Sequence, residues 1–341
     1  IEITGNRIRT RQFSQQMDIR RPEDLGIIVD DPLDPRNLYG VIDESIPAFI
    51  NGNFSMSYSM LSTAFKDGNQ LFQQLKDNRV AVSQRLGTLT GIDIDNPANL
   101  NPDGTVIGYG GTSQDVLLPA FLSAYSGKNP NSVKLQLFRD IPIPNWILRY
   151  TGLMKYEWFK ENFSSFSLAH AYRSSYTISN FTNNLQYDAT DPFGPSNVNQ
   201  SSIDLDYNPS LLISSATLID EFNPLVRVDM KMKNSFSLRG ELKRNRTLTM
   251  NFNNGTLTDI KETEYVFGFG YVFKDVKMRT SFTGKPQTLK GDINLRADLS
   301  LRDNITLIRS VDTNNDQVSG GQKLFSLKFS ADYRLSSNLT V

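Results

Sequence analysis

The chain has 341 residues, with 36 Lys and Arg against 36 Asp and Glu, a formal net charge of zero, one His and no Cys. Without Cys there is no disulfide framework, thiolate zinc site or iron–sulfur cluster, and one His excludes the paired-His metalloprotease motif. Zero net charge supplies no field to steer a nucleic-acid backbone, while 13 Tyr, 21 Phe and 38% hydrophobic residues exceed what a disordered chain carries.

In chain order, residues 1–68 read as a strand followed by Pro- and Asp-rich loops. Ile1-Glu2-Ile3-Thr4 alternates like a strand, and Pro22, Pro32, Pro35 and Pro47 punctuate loop composition. Residues 69–145 read as a helical insert with loops. Leu71, Phe72, Leu75, Val82 and Leu86 fall near one helical face, with Gly87 at the position of a C-terminal cap. A second helix is expected from Leu118 to Ser126, with Pro119 in its first turn and Gly127 ending it. Long loops with their own helices tend to be functional inserts. Whether this one fills a lumen, meets a partner or lies on a surface stays open. Neither end carries a recognisable targeting segment, and both read as cuts through a longer polypeptide, so location is not decided there.

Residues 146–341 read as about ten antiparallel strands. Phe166, Leu168, Tyr172, Tyr176 and Ile178 alternate with Ser and Ala; Val226, Val228, Met230 and Met232 alternate with Arg227, Asp229, Lys231 and Lys233. Phe236, Leu238, Leu242, Leu248 and Met250 oppose Arg239, Glu241, Lys243 and a row of Asn and Thr, with Arg244 and Arg246 breaking the apolar phase. Tyr265, Phe267, Phe269, Tyr271 and Phe273 form an aromatic stripe opposite Glu264, Gly268 and Gly270. Leu295, Leu299 and Leu301 oppose Arg296, Asp298 and Arg302, and Phe325, Leu327 and Phe329 oppose Lys328 and Asp332. The separators read as Lys233-Asn234-Ser235, Asn253-Asn254-Gly255, Lys274-Asp275, Ser319-Gly320-Gly321 and Ser336-Ser337-Asn338.

Strict period two puts apolar side chains on one strand face and polar ones on the other. A half-buried soluble sheet and a membrane barrel wall both produce it, and a barrel wall also explains a mean hydropathy of only −0.37. Strand length favours the barrel, since runs of membrane length (~9–11 residues) exceed the ~5–6 of soluble strands. So do charges set side by side on the polar face and aromatics too bulky for a thin sandwich core. Trp146, Trp158 and Tyr156 suit an interfacial girdle. The expected fold is therefore all-β: a segment of a very large antiparallel transmembrane β-barrel with helical loop inserts. Its pore-lining candidates are Arg227, Asp229, Lys231, Lys233, Arg239, Glu241, Lys243, Arg296, Asp298 and Arg302. Its lipid- or partner-facing candidates are Phe166, Leu168, Tyr172, Val228, Met230, Tyr265, Phe267, Phe269, Tyr271, Leu295, Leu299, Phe325 and Phe329.

Two stretches carry a resemblance: Gly108-Tyr109-Gly110-Gly111-Thr112-Ser113-Gln114-Asp115 running on to Gly127, and Ile141-Pro142-Ile143-Pro144-Asn145-Trp146 with Leu148, Tyr150 and Gly152. Further stretches are Ser167 to Ser174, Phe222-Asn223-Pro224-Leu225, Glu264 to Tyr271 and Phe329 to Tyr333. Together they resemble the C-terminal region of the SprA/Sov family, the outer-membrane translocon of the type 9 secretion system of Bacteroidetes, which also serves gliding motility. The resemblance implies a giant single-chain barrel in the bacterial cell outer membrane that exports folded cargo bearing a C-terminal signal domain. It implies as partners a PorV-type shuttle barrel, a periplasmic plug protein, the remaining segments of the same polypeptide, and lipid and lipopolysaccharide. It implies no enzyme activity and no cofactor. This chain is far shorter than a whole member and would be one piece of the wall.

Other chemistry has little support in the residues. Asp312-Thr313-Asn314-Asn315-Asp316 has the first oxygen spacings of a calcium loop but lacks its sixth-position Gly and twelfth-position acid. Gly268 and Gly270 lack the third Gly of a dinucleotide site and read as relief of crowding on a curved strand. Asp204 and Asp206, like Glu262 and Glu264, read as paired carboxylates on strand faces. Three alternatives remain open: a smaller porin, a barrel-embedded hydrolase using His170 with Ser174, and a soluble β-rich surface-binding protein.

Overall fold

Alternating sequence becomes long strands. A computed structural model of the chain describes residues 1–14, 19–20, 22, 27–28, 41–42, 49–200, 202, 204–280, 287–313, 316–336 and 339–340. The strands are β1 (Glu2–Thr4), β2 (Arg7–Ser14), β3 (Ile19–Arg20), β4 (Val41–Ile42), β5 (Phe49–Ser57), β6 (Asn145–Tyr150), β7 (Phe163–Asn183), β8 (Leu211–Leu212), β9 (Ser215–Met232), β10 (Phe236–Asn251), β11 (Thr256–Thr280), β12 (Gln287–Ser310), β13 (Asp316–Ser336) and β14 (Leu339–Thr340). Among the described residues three α-helices interrupt them: α1 (Gly68–Leu89), α2 (Gln114–Ser126) and α3 (Glu157–Asn162).

Twelve strands form one antiparallel sheet, in the order β1-β6-β7-β9-β10-β11-β12-β13-β14. β5 joins the same edge of β7 as β6, further along the strand, and carries β2 on its other side. The short β3–β4 pair stands apart. Among the described residues the sheet is open: none of them pairs β13 or β14 with β1 or β2. No described helix is long and apolar enough to cross a membrane.

Nine described strands lie between residue 145 and the end, against the ten expected. Two expected separators are interruptions inside strands. Asp275, at φ 55°, sits in a register shift between Phe273 and Val276 within β11. Ser319-Gly320-Gly321 lies within β13, beside the shift at Thr306/Leu307. Lys233-Asn234-Ser235 and Asn253-Asn254-Gly255 are the expected turns, while Ser337 and Asn338 lie outside the described residues. So does most of the Pro-rich stretch from Arg20 to Pro47.

The helical insert lies on the apolar side of the sheet. α2 is buried from Val116 to Ser126, wedged between α1 and the strands. Phe121, Leu122 and Ala124 share one core with Phe54 and Met56 of β5, Tyr176 and Ile178 of β7, Leu218, Leu248 and Leu257. A helix that is apolar all round is stable only when covered all round. α2 begins four residues before its expected start, so Pro119 falls inside it rather than in its first turn. Gly127 ends it as expected, with φ 68° in the left-handed region that Gly adopts without strain. α1 is capped by Asp67, whose carboxylate accepts the Asn69 N–H at 3.0 Å.

Candidate functional site

The register of β9 to β13 stacks the sheet's side chains into levels. On the apolar face, Leu238 pairs Phe269, Phe269 pairs Ala297, and Ala297 pairs Phe329. One level up, Gly240, Phe267, Leu299 and Leu327 align; the next aligns Val226, Leu242, Tyr265, Leu301 and Phe325. The stripe Tyr265, Phe267, Phe269, Tyr271 and Phe273 is between 38% and 49% exposed, and Phe329 reaches 72%. Leu295 is exposed too, whereas Phe166, Leu168, Val228, Met230 and Leu299 are half-buried in the same band. From Tyr265 to Phe273 the band is nine residues tall.

Charge bounds this band on its upper side. Directly above Leu242, Tyr265, Leu301 and Phe325, the same face carries Arg244, Thr263, Asp303 and Lys323 at one level. The level after that carries Asp220, Arg246, Lys261 and Ile305. Below Phe273 the shift in register puts Val276, opposite Gly291, on this apolar face, while Lys277 and Lys290 pair on the other. At the start of β7, Trp158, Phe159, Phe163 and Phe166 pack ring on ring at 5.0–5.8 Å, with Tyr156 and Trp158 exposed beside them.

Above the charged levels the apolar face disappears under α1 and α2. Arg246 donates through Nε and Nη2 to both Asp259 oxygens at 3.0 and 2.8 Å, with its guanidinium 5.2 Å from the Tyr125 ring of α2. Arg309 of β12 donates to the Gly68 carbonyl at 3.3 Å and to Asn69 Oδ1 at 2.5 Å, at the foot of α1. Arg79 of α1 reaches Asp312 at 3.2 Å and the Val311 carbonyl at 3.1 Å. These basic groups clamp the insert to the wall. Asp312 thus belongs to a helix clamp, and Asn314 and Asn315 of the candidate calcium loop lie outside the described residues.

The opposite face holds Arg227, Asp229, Lys231, Arg239, Glu241, Lys243, Arg296, Asp298 and Arg302, as alternation requires. Lys233 is corrected: β9 stops at Met232, and Lys233 stands in the turn. The charges pair in chains. Arg227 reaches Asp229 at 2.6 Å, Arg239 reaches Glu241 at 2.5 Å, and Glu264 takes Lys243 at 3.1 Å and Arg302 at 3.2 Å. The side chains of Glu241 and Glu264 are only 5% and 10% exposed beneath their partners. Further up, the polar face changes to hydroxyls: Ser55 bonds Thr177 at 3.1 Å and Thr217 bonds Thr249 at 3.2 Å.

Tyr172 is a second correction. It lies on the apolar face but is 1% exposed. The segment after β5 covers it, with the Met60 N–H donating to its hydroxyl at 3.0 Å and Phe222 and Trp146 stacked against it. Nothing in the alternation distinguishes a flank facing outward from one roofed by a distant segment. His170 and Ser174 are not brought together. The His170 Nδ1 lies 2.7 Å from the Leu225 carbonyl, while the Ser174 hydroxyl donates to the Tyr58 carbonyl at 2.5 Å. The two residues stand four strand positions apart, about 13 Å at ~3.3 Å each.

Asp204 and Asp206 are a third correction: they sit in the loop between β7 and β8, not on a strand. Asp206 accepts the Gly110 N–H and the Ser202 hydroxyl, both at 2.6 Å. A Cβ on Gly110 would collide with the Asp204 carboxylate, so only Gly lets this loop close on the insert. Asp115, which sequence reasoning passed over, lies next to Asp206. Burial first, and the Asp206 charge second, push its carboxyl up to about 6. No protein-family model and no curated protein matches the chain.

Proposed function

We propose that this chain is a wall segment of a very large outer-membrane β-barrel, and that the barrel is a protein-conducting translocon of the type 9 secretion system. One observation carries the membrane reading. An apolar band, nine residues tall from Tyr265 to Phe273, runs level across five strands, exposed on β11 to β13 and mostly half-buried on β9 and β10, with charge above it. Nine residues match the ~9–11 that a tilted strand needs to cross the hydrocarbon, and aromatic stripes suit the rims of such a band. Soluble sheets of this area cover their apolar face.

On this reading Phe269, Leu295 and Phe329 face lipid or a PorV-type partner barrel, and Arg227, Glu241, Lys243 and Arg302 face the passage. The insert then sits on the outside of the wall at the membrane surface, in reach of lipopolysaccharide, and leaves the passage clear. Barrel diameter grows with strand number, and an open sheet of this width calls for further strands at both edges. The paired charges of the polar face present both signs with few free hooks, which suits cargo of varied surface better than a one-sign ring would. The translocon reading itself leans on the resemblance of Gly108 to Gly127 and Ile141 to Trp146. The periplasmic plug, the signal-bearing cargo and the role in gliding follow from it.

The membrane reading is tested by labelling with a photoreactive probe dissolved in the acyl phase. Labelling at Phe267 and Phe269 but not at Ser300 or Asp298 supports it; equal labelling of both faces overturns it. The transport reading is tested by reversing the charge of Glu264 and Arg302 separately and together in cells, and measuring secreted cargo. Unchanged export in all three would remove it.

A further inference from the structure

A cavity of about 250 Å³ opens where the first turns of α2 meet the loop of residues 184–210. Four aromatic rings line it. Tyr109 meets Tyr207 edge-on at 5.4 Å, Tyr207 meets Phe193 edge-on at 5.9 Å, and Tyr187 and the aliphatic Leu118, Leu135 and Leu137 add to the lining. Among the described residues no Lys or Arg lines it. Gln114 is fully engaged, donating to the Leu211 carbonyl at 2.9 Å and accepting the Ile213 N–H at 2.8 Å.

Asp115 also lines this cavity, and among the described residues no hydrogen-bond donor or cation reaches its carboxylate. The residue is partly exposed, yet its carboxyl is hemmed in by protein. The titratable groups facing it are Asp206, Tyr109, Tyr187 and Tyr207. Burial holds the Tyr109 phenol at about 12, so that ring stays neutral and offers no countercharge. A carboxylate crowded by protein and left without a partner is costly, and a second acid beside it raises the cost. The α2 N-terminus offsets only part of this.

We propose that the cavity binds an organic cation, an alkylammonium group seated against Asp115 and the faces and edges of Tyr109, Tyr207 and Phe193. A cation is the one ligand class that answers both features. It neutralises the carboxylate, and it gains from ring faces within about 6 Å. An anion would be repelled, and a neutral apolar group would bury Asp115 further without a partner. The volume is below the ~300–1,000 Å³ of drug-sized pockets, which limits the occupant to a small head group. A free small ammonium and a Lys side chain of a polypeptide share this chemistry. The site belongs to the insert and does not rest on the membrane or transport reading.

The test is calorimetric titration of the detergent-solubilised protein with tetramethylammonium, N-acetyl-lysine amide and, as a neutral control, its Nε-acetylated form. Saturable binding of at least one cation is expected, weakened at least tenfold by Asp115→Asn and by Tyr207→Ala, with no binding of the neutral control. Tetramethylammonium keeps its charge at every pH, so its affinity should fall severalfold from pH 7.5 to pH 5 as Asp115 protonates. Asp115→Asn removes a repelled carboxylate, so its unfolding midpoint at pH 7.5 should equal or exceed that of the parent, which separates lost binding from lost folding. Tighter binding of tetramethylammonium identifies a small ammonium as the ligand; tighter binding of the lysine amide identifies a polypeptide Lys. The proposal is overturned if neither cation binds, if Asp115→Asn binds like the parent, or if the acetylated control binds equally well.

Discussion

The two halves of β9 to β12 have the same apolar face and opposite fates. From Tyr265 to Phe273 that face is exposed, and from Phe236 to Leu242 beside it half-buried. From Leu248 to Met250 and from Leu257 to Asp259 it is sealed under α2. The alternation is the same in both halves, and only the cover differs. Between them lies a belt of charge with Arg244 at its edge, its guanidinium 4.6 Å from the Phe65 ring, and Arg246 within it. Apolar periodicity therefore reports that a flank avoids water. It does not report what the flank meets instead.

Substitutions that treat the halves differently can break or sharpen this comparison. The largest effect is expected at the buried clamp. Arg246→Ala leaves Asp259, 1% exposed on its side chain, with Lys261 at 3.5 Å as its remaining partner, and should cost up to about 3–5 kcal/mol, read as a lower unfolding midpoint and faster amide exchange in α2. Leu248→Ala, under the insert, should cost about 2–5 kcal/mol, whereas Leu299→Ala in the bare band should cost well under that because no packed cavity opens. Equal costs would mean that the band is covered after all. Phe269→Arg should cost about 2–4 kcal/mol and block assembly, measured as loss of the heat-modifiable form, while Ser300→Arg on the polar face should assemble.

A smaller, pH-dependent effect belongs to Asp115. Its carboxyl titrates higher folded than unfolded, so the folded state holds the extra proton between about pH 4 and pH 6. Stability should then fall as pH rises through that window, by up to about 3 kcal/mol, and stay level above it. Asp115→Asn should flatten that slope. The smallest effect is expected on the polar face. Arg227→Gln breaks a pair whose side chains are each 36% exposed and should cost no more than about 1 kcal/mol.

Much of the sheet was legible in the residues. Period two assigned Arg227, Asp229, Arg239 and Glu241 to one face and Phe267 and Phe269 to the other, and the register agrees because each pair differs only by a one-residue pleat. The interruption at Arg244 and Arg246 was visible as a change of environment, although its cause, a helix arriving from more than a hundred residues upstream, was not. Lys233 was misplaced because a strand end has no signature in alternation. Lys274-Asp275 and Ser319-Gly320-Gly321 look like turns because bulges and turns draw on the same small and polar residues. Asp115 gave no sign, since a lone acid in a first helical turn reads as a favourable helix start.

Local sequence alone determined the strands, their two-faced character, the two long helices and the chemistry of each flank, because all of these follow from the spacing of side chains along a pleat or a helix. Only the tertiary structure decided which stretch of the apolar flank stays bare, which is roofed by α1 and α2, and which acids and bases meet across strands. Those outcomes depend on residues such as Arg79 and Asp312, or Tyr58 and Ser174, that lie far apart in the chain and touch only after it has folded back on itself.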